Sequence, residues 1–351
     1  MKEDNQITVG IIFGGISNEH DVSIKSAKNI YKAFLKPRNK RYKIKLFYIN
    51  KYGIWFKNQT SKSVLTNNEK SFTNQRFTSK KINFIEDIDF DGIDAWFPII
   101  HGSNGEDGTI QGFLKLTQKP FVGAGVLGSA LGMDKIAMKL IFSHLKIPQV
   151  NYFPIQLNKS STKKDLEILT THIMEKLNFP IFIKPANSGS SLGISRVNKK
   201  NEIIQALQLA SEIDSRIIAE EGYDVRELEC GVIGKSNLET SSIGEVKYET
   251  DWFDFESKYS IQNEIIIPAT IDKSTERNIK DLAIKSCKAL NIFGFARADF
   301  FLEKKTNKIF LNEINTIPGF TNKSMFPMLW KASGLEIDQL VAKLVDIAID
   351  S

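Results

Sequence analysis

Residues 295–319, FARADFFLEKKTNKIFLNEINTIPG, are the stretch from which the fold of this chain can be read. Two runs of alternating apolar and polar residues flank the polar turn KKTN, and this pattern predicts a β-hairpin. Successive side chains of a strand point to opposite faces, so Arg297 and Asp299 share one face of the first strand. For the same reason Glu313 and Asn315 share one face of the second strand.

The polar residues of this hairpin predict a metal site. If the two strands pair, Asp299 and Glu313 meet across the hairpin with the amide of Asn315 beside them. An all-oxygen set of this kind suits Mg²⁺. The alternative is a surface hairpin with a solvated polar face. Apolar residues such as Phe300 and Leu311 fill the remaining positions, which indicates that at least one side of the hairpin is buried.

Length and composition narrow the class of protein. The chain has 351 residues, enough for two or three domains, and its 42% hydrophobic and 25% charged residues are typical of a globular protein. It has no apolar run long enough to cross a bilayer, and its polar start leads directly into a strand, so we expect no signal peptide. The net charge of +6 comes from lysines mixed with acids, which predicts a solvated surface rather than a nucleic-acid site. Cys230 and Cys287 are expected in the core of a cytoplasmic protein without membrane partners.

The first part of the chain predicts a βα unit with its turn at a ligand site. The apolar run 7–13 is followed by two glycines and a helical pattern, but the GxGxxG dinucleotide fingerprint is absent. Glu19 at this turn could receive a cationic amine, or it could simply favour the first turn of the helix. His101 follows the apolar strand 94–100 and precedes a glycine-rich loop, which makes it a second candidate.

The middle of the chain predicts a nucleotide site. An apolar strand ends at Lys184, and a loop of small residues around Ser190 leads into a returning strand. Such a loop can fold over phosphates with its N–H groups turned inward. The GxxxxGK[ST] pattern is absent, so this is not a Walker loop. An ordinary hairpin is the alternative, and the length of the loop together with the lysine argues against it.

Three further segments carry expectations about local structure. Residues 125–146 have the apolar spacing of one continuous helix. Residues 58–81 are polar and rich in serine and lysine, which predicts a loop. Residues 251–264, DWFDFESKYSIQNE, are too long for a simple turn between strands and predict a lid.

Taken together, these motifs resemble the D-alanine–D-alanine ligases of the ATP-grasp superfamily over nearly the whole chain. Five stretches in the family's order carry the resemblance: GGISNEHDVS, HGSNGEDGTIQG, MDK followed by IKPANSGSSLG, FESKY, and ARADFFLE with NEINTIPGFTNKS. The resemblance implies an α/β fold of three domains with ATP-grasp architecture. These are a Rossmann-like (preATP-grasp) substrate domain at 1–124, a central ATP-grasp subdomain at 125–226, and a C-terminal ATP-grasp subdomain at 227–351 with the lid and the metal site.

The resemblance also implies a reaction. Two D-alanine molecules would be ligated with ATP through a D-alanyl phosphate to give D-alanyl-D-alanine for peptidoglycan synthesis. It implies Mg²⁺, two ions with Mn²⁺ as a substitute, and a homodimer that binds neither nucleic acid nor membrane.

Site residues follow from the same resemblance, position by position in this sequence. The residues with catalytic roles are Glu19, Ser190, Tyr259, Arg297 and Gly319. Those that bind the D-alanine substrates are Glu19, His101, Lys258, Arg297, Gly319 and Ser324. Those that bind ATP are Lys135, Lys184, Ser190, Ser191, Glu220, Glu221, Tyr223, Glu227 and Lys258. The metal ligands are Asp299, Glu313 and Asn315.

Three alternatives remain open at this stage. D-alanine–D-lactate ligases carry a histidine where this chain has Tyr259, so the tyrosine favours an amine as second substrate, and D-serine is not excluded. A non-catalytic nucleotide-binding regulator of the same fold would be expected to have lost the polar residues of the hairpin. Arg297, Asp299, Glu313 and Asn315 are all present.

Overall fold

The first of three β-sheets is formed by the start of the chain. The structure, a computed structural model, describes residues 6–66, 92–158, 160–190, 192–247 and 264–350. The first sheet has the order β3-β2-β1-β4, with β1 parallel to β2 and β4 and with β3 antiparallel to β2. Its strands are β1 (Ile7–Gly14), β2 (Tyr42–Ile49), β3 (Trp55–Lys57) and β4 (Ala95–Pro98). Its helices are α1 (His20–Phe34), α2 (Gln59–Thr66) and α3 (Thr109–Leu116).

Helix α2 contradicts part of the predicted loop 58–81. The helix is polar in sequence, yet it is anchored, because Ser61 accepts a hydrogen bond from the Tyr48 N–H at 3.1 Å and donates one to the Phe56 carbonyl at 2.8 Å. Val64 and Leu65 on the same helix are buried. The prediction was wrong here because a serine can be buried when its hydroxyl is satisfied by backbone groups. The rest of the segment, from residue 67 onward, lies outside the described residues.

The second sheet is antiparallel and has the order β5-β8-β6-β7. Its strands are β5 (Tyr152–Gln156), β6 (Ile181–Pro185), β7 (Ser195–Val197) and β8 (Arg216–Glu221). Its helices are α6 (Lys163–Lys176) and α7 (Ile203–Ser211). The small-residue loop predicted to cover phosphates joins β6 to β7, and we call residues 186–194 the flap loop; of these, residue 191 is not described.

The third sheet contains the predicted hairpin. Its order is β11-β10-β9-β12-β13, and every neighbouring pair is antiparallel. Its strands are β9 (Val225–Gly234), β10 (Leu238–Lys247), β11 (Glu264–Ile266), β12 (Gly294–Glu303) and β13 (Ile309–Asn315). Helices α8 (Lys273–Ala289), α9 (Met325–Ala332) and α10 (Ile337–Ile349) complete this part. Cys230 and Cys287 are buried free thiols in its core, as predicted.

The helix predicted over 125–146 is broken in two, as α4 (Val126–Met133) and α5 (Lys135–His144). Asp134 lies between them in an extended conformation, and its carboxylate accepts a hydrogen bond from the Ala137 N–H at 2.9 Å. Aspartate is a favoured N-cap because its side chain satisfies an N–H that has no partner within the helix. Arg216 also pairs with Asp134. The break puts Lys135 at the first position of α5.

The end of the chain packs against its beginning. Leu340 and Leu344 of α10 belong to the same hydrophobic cluster as Ile11 and Phe97 of the first sheet. Asn39 donates hydrogen bonds to the carbonyls of Ala33 and Asp338, each at 3.0 Å. Ile317 and Phe320 belong to the same cluster, so the segment between β13 and α9 crosses from the third sheet to the first. Among the helices of the described ranges, none has the length and apolarity required to cross a membrane.

Candidate active site

A one-residue register shift in the hairpin places the predicted metal ligands opposite each other. Phe300 pairs with Leu311, but the next pair is Asp299 with Glu313, so Asn312 is an extra residue in β13. Without this bulge Asp299 would face Asn312, and Glu313 would point to the other face of the sheet. Bulges often occur next to functional sites, where they redirect a side chain.

The amide of Asn315 completes this polar face. Its Nδ2 donates a hydrogen bond to Asp299 Oδ2 at 2.7 Å, and Asn315 lies directly opposite Arg297 in the ladder. The amide oxygen of Asn315 is thereby turned away from Asp299. Both carboxylates and the amide are partly buried on one face of the hairpin, as the alternation of the sequence predicted.

Arg297 is held by two carboxylates. Its Nε donates to Asp299 Oδ1 and its Nη2 to Asp299 Oδ2, both at 2.7 Å, while Glu229 Oε2 lies 2.9 Å from the Nε. Burial lowers the pKa of Arg297, but the charges of Asp299 and Glu229 outweigh this and raise the pKa above its ordinary value. Arg297 therefore presents a fixed positive charge. Sequence reasoning missed Glu229; its signal was an acid two residues after Glu227 on the same strand.

The donor set of the hairpin fits a hard divalent cation. In the ranges that the structure describes, no three His, Cys, Asp or Glu side chains gather into a metal-binding group. The candidate ligand set therefore consists of two carboxylates, Asp299 and Glu313, and the amide of Asn315. Mg²⁺ is usually bound through one or two carboxylates, with water and substrate phosphates as its other ligands. The residues fit a metal that arrives together with a nucleotide, and the assignment of Asp299, Glu313 and Asn315 as ligands remains a prediction.

Glu19 and Ser190 meet at the edge of the first sheet. The hydroxyl of Ser190 in the flap loop donates a hydrogen bond to Glu19 Oε1 at 2.5 Å. Gly102 leaves room for the Glu19 carboxylate, because a Cβ on this residue would lie 3.0 Å from Glu19 Oε2. Ser190 itself has a φ of +51°, a left-handed conformation that costs a serine about 1 kcal/mol or more. The flap loop is thereby tied to the first sheet.

Lys135 connects the flap loop to the hairpin. Its ammonium donates to the Ser188 carbonyl at 2.7 Å and lies 3.3 Å from Glu313 Oε2. The Lys135 N–H also donates to the Ala186 carbonyl at 3.1 Å. The predicted phosphate lysine therefore lies between the second and third sheets, beside a predicted metal ligand.

The predicted ATP residues Lys184 and Glu220 are paired with each other. Lys184 donates to Glu220 Oε2 at 2.6 Å, and the Glu220 side chain is buried. The side chain of Glu220 is thus engaged inside the protein, and a contact with adenine would come from its main chain. Burial lowers the pKa of Lys184, but the nearby carboxylates outweigh this and raise it above its ordinary value; Glu220 contributes most, and Glu313 and Glu227 contribute less.

Glu221 and Tyr223 form the surface beside this pair. Glu221 accepts hydrogen bonds from Asn151 at 3.1 Å and from Asn178 at 3.3 Å. The ring of Tyr223 lies 5.1 Å from that of Phe310, and partial burial together with Glu221 raises its pKa to about 12. An aromatic side chain between the second and third sheets agrees with an adenine hinge, which remains a prediction.

Helix α1 holds the segment that carries Gly319. The Phe320 N–H donates to Ser26 Oγ at 3.1 Å, and Asn29 Nδ2 donates to the Phe320 carbonyl at 2.7 Å. A Cβ on Gly319 would lie 2.7 Å from Ser324 Oγ, so a side chain at this position would displace the Ser324 hydroxyl. Ser324 immediately precedes α9, and its hydroxyl oxygen accepts a hydrogen bond from the Thr321 N–H at 3.0 Å.

His101 belongs to the same network. The Ile317 carbonyl can only accept, so His101 Nδ1 donates to it at 3.0 Å, and Nε2 accepts from Ser26 Oγ at 3.1 Å. Burial lowers the pKa of His101 and outweighs the charge of Glu19, which would raise it. The lowered pKa favours the neutral ring. Both ring nitrogens are thus engaged with protein groups. A direct contact between His101 and a substrate remains a prediction.

Replacing Asn29 with Ala is expected to lower kcat about tenfold, because the Gly319 segment loses one of its anchors to α1 and catalytic geometry tolerates little displacement. Steady-state kinetics would measure the effect. Asn39→Ala is the matched control, since it removes a buried amide that also donates to backbone carbonyls, away from the site. Both changes should cost about 1 kcal/mol of stability. Equal losses of kcat in the two variants would refute the anchoring role.

Glu106 was not selected from the sequence, although it lies in the glycine-rich loop after His101. Its Oε2 accepts a hydrogen bond from the Gly102 N–H at 3.0 Å. Removal from water and the nearby charge of Glu19 raise the pKa of Glu106 to about 8. No sequence signal distinguishes Glu106, because Glu19 and Glu313, whose charges act on it, are far away in sequence and come close only in the folded chain.

Four predicted features lie outside the described residues. They are Ser191, Lys258, Tyr259 and residues 251–263 of the lid predicted over 251–264, and they remain predictions. The last residue of that predicted lid, Glu264, instead begins β11, where it pairs with Lys247.

Solved structures with the same fold identify the class of protein. The D-alanine-D-alanine ligase from Coxiella burnetii matches with a TM-score of 0.81 and 30% identity, over 99% of this chain and 94% of that one. The VanG D-Ala:D-Ser ligase from Enterococcus faecalis matches with a TM-score of 0.82 and 31% identity, over 98% of this chain and 99% of that one. Together with the three sheets and the acidic hairpin, these matches define an ATP-grasp enzyme, as the sequence predicted.

Sequence comparison narrows the class to one family. The family model for the D-ala D-ala ligase N-terminus matches residues 8–124, and that for the D-ala D-ala ligase C-terminus matches residues 141–346. A D-alanine--D-alanine ligase of Prochlorococcus marinus subsp. pastoris is 63% identical over the full length of both chains. Another from Prochlorococcus marinus strain NATL1A is 48% identical over 98% of this chain and 99% of the relative. The chain belongs to the D-alanine–D-alanine ligase family, which confirms the resemblance seen in the sequence.

Proposed function

We propose that this protein ligates two D-alanine molecules to D-alanyl-D-alanine with ATP, through a D-alanyl phosphate, for peptidoglycan precursor synthesis. The observation that carries the proposal is the face of the β12–β13 hairpin. On it Arg297, Asp299, Glu313 and Asn315 lie in direct register, with Lys135 in contact with Glu313. Full-length identity of 63% to a D-alanine--D-alanine ligase supports the same substrate pair.

In the first step a carboxylate oxygen of one D-alanine attacks the γ-phosphorus of ATP, the bond from that phosphorus to the β–γ bridging oxygen breaks, and ADP leaves. The Glu19 carboxylate, held in place by Ser190, receives the ammonium group of this D-alanine. Lys135 and Lys184 bind the ATP phosphates and offset their charge. Mg²⁺ held by Asp299, Glu313 and Asn315 would stabilise negative charge on the transferred phosphoryl group. Glu229 gives Arg297 a second carboxylate partner, so Asp299 is not the sole compensation for the Arg297 charge.

In the second step the amine of the other D-alanine, after losing a proton, attacks the acyl carbon of the D-alanyl phosphate. The peptide C–N bond forms, the C–O bond to phosphorus breaks, and inorganic phosphate leaves. Arg297 and the Gly319 N–H stabilise the oxyanion that develops, and a donor of this kind contributes about 3–4 kcal/mol in acyl transfer. Ser324 binds the carboxylate of the second substrate. The lid, with Lys258 and Tyr259, excludes water, because water would otherwise hydrolyse the acyl phosphate.

Several finer points are part of the proposal. The metal is Mg²⁺, with two ions per site and Mn²⁺ as a substitute, and the protein works as a homodimer in the cytoplasm. The chain divides into units at 1–124, 125–226 and 227–351. Each of the three contains one of the observed sheets, apart from the first residues of β9.

A D-alanine–D-serine ligase is the second candidate, because the similarity of folds does not separate the two activities. The D-Ala:D-Ser ligase matches this chain as well as the D-alanine-D-alanine ligase does, with TM-scores of 0.82 and 0.81. The far higher sequence identity to D-alanine--D-alanine ligases favours D-alanine as the second substrate.

The test is phosphate release from ATP with Mg²⁺ and D-alanine, L-alanine, D-lactate or D-serine, with the product identified by mass spectrometry. We expect phosphate release that depends on D-alanine and a D-alanyl-D-alanine product. A D-alanyl-D-serine product in the presence of D-serine would change the assigned second substrate to D-serine and would leave the proposed mechanism unchanged. Absence of turnover with every substrate would support the non-catalytic regulator instead.

A further inference from the structure

Lys139 is a lysine buried beneath the candidate ATP site. It lies on α5, one helical turn after Lys135, and its side chain is 1% exposed. Its ammonium lies 3.0 Å from Glu220 Oε1 and 5.8 Å from the centre of the Tyr152 ring. Lysines are almost never buried to this extent unless they are paired, so its position requires an explanation.

Glu220 is shared between two lysines. Its Oε1 faces Lys139, and its Oε2 accepts a hydrogen bond from Lys184 at 2.6 Å. Burial raises the pKa of Glu220, but the two lysines outweigh this and lower it to about 2, so the carboxylate is ionised. The Lys139–Glu220–Lys184 set therefore carries one net positive charge when both lysines are protonated.

The two lysines differ in exposure. The Lys184 side chain is 11% exposed and belongs to the next-to-last residue of β6, beside the flap loop. Lys139 lies behind Glu220, and its side chain is 1% exposed. If Lys139 were absent, Glu220 would cancel the charge of Lys184. With Lys139 present, the inner lysine compensates the carboxylate, and the outer one keeps its charge toward the site.

We propose that Lys139 is a positioning residue of the ATP site, which compensates Glu220 so that the charge of Lys184 acts on the phosphates of the nucleotide. The proposal rests on the proposed function, because it takes Lys184 as a phosphate ligand. A purely structural Lys139 would contribute to stability, and its loss would not change nucleotide affinity selectively.

The first test is Lys139→Met. The KM for ATP and the Kd for Mg²⁺–AMP-PNP, measured by calorimetry, should both rise about tenfold, the scale of one unit charge acting across a partly buried site. The KM for D-alanine should stay unchanged. Lys280→Met is a control for the loss of a helical lysine that pairs with a glutamate, because Lys280 pairs with Glu276 at 2.6 Å on α8, away from the site and on the protein surface. It should change neither constant.

The second test restores the charge. In Lys139→Met/Glu220→Gln the lysine of β6 is no longer cancelled, so the Kd for AMP-PNP should return toward the wild-type value. Burial lowers the pKa of Lys139 and Glu220 opposes this, so Glu220→Gln favours a neutral Lys139. Lys184 keeps its charge without Glu220 to cancel it, so this variant should bind AMP-PNP at least as tightly as wild type. This variant keeps the test decisive even if Lys139→Met does not fold.

Three outcomes would overturn the inference. They are an unchanged Kd in Lys139→Met, a double variant that binds no better than the single one, and weaker binding in Glu220→Gln. Failure of the proposed function is distinguishable, since wild-type protein would then bind no AMP-PNP or form no dipeptide.

Discussion

Glu313→Gln is expected to lower ATP-dependent phosphate release about 10³-fold. The substitution keeps the size of the side chain but removes one of the two carboxylates that face each other on the hairpin. A bound divalent ion contributes several kcal/mol of charge stabilisation, and about 4 kcal/mol corresponds to this change in rate. Lys135 also loses the charge of Glu313 at 3.3 Å, so nucleotide binding should change as well. Phosphate release at saturating D-alanine, with Mg²⁺ varied, measures the effect.

Glu303→Gln provides the control for this prediction. This substitution makes the same chemical change at the far end of β12, where the Glu303 carboxylate accepts a hydrogen bond from Thr306. We expect near-normal turnover and Mg²⁺ dependence in this variant. Near-normal turnover in Glu313→Gln would refute the assignment of the metal site to the hairpin.

Arg297→Lys should lower kcat by about 10²- to 10³-fold with little change in the KM for ATP. Lysine keeps the positive charge but loses the planar fork that binds both oxygens of Asp299 while its Nε faces Glu229. An oxyanion donor that is displaced is worth little, because its contribution depends on geometry fixed before the reaction. Steady-state kinetics of D-alanyl-D-alanine formation would show the loss.

Arg226→Lys separates the catalytic effect from a structural one. Arg226 forms a similar fork in the same sheet, with Nε–Oε1 and Nη2–Oε2 distances of 2.8 and 2.7 Å to Glu245. Both variants should lose comparable stability, about 1–3 kcal/mol for bonds to a charged group. Only Arg297→Lys should lose kcat. Similar kcat values in the two variants would mean that Arg297 has a structural role.

Much of the site could be predicted because its signals are local. Alternation with a period of two places Arg297 with Asp299 and Glu313 with Asn315, whatever the rest of the chain does. The glycine-rich loops after β1 and β4 and the small residues of the flap loop are likewise visible in a short window. The two family models then assign these motifs, in the order in which they occur, to one family.

Other features were missed because they depend on contacts between distant segments. The polar segment that forms helix α2 was predicted as a loop. The helix was missed because backbone groups of the neighbouring strands satisfy the hydroxyl of its buried serine. The break at Asp134 was missed because apolar spacing continues through it, while a cap and Arg216 decide the geometry. Ser26 and Asn29 look like ordinary helix residues until the Phe320 segment is placed against them.

The sequence by itself determined the hairpin, the residue types of the site and the family, because these depend on local periodicity and on motif order. The tertiary structure decided which charges act together. The extra residue Asn312 brings Glu313 opposite Asp299, and the packing of α5 beneath β8 buries Lys139 against Glu220. Both effects have the same physical reason. Electrostatic interaction depends on distance and burial, and those are fixed only when sheets and helices pack.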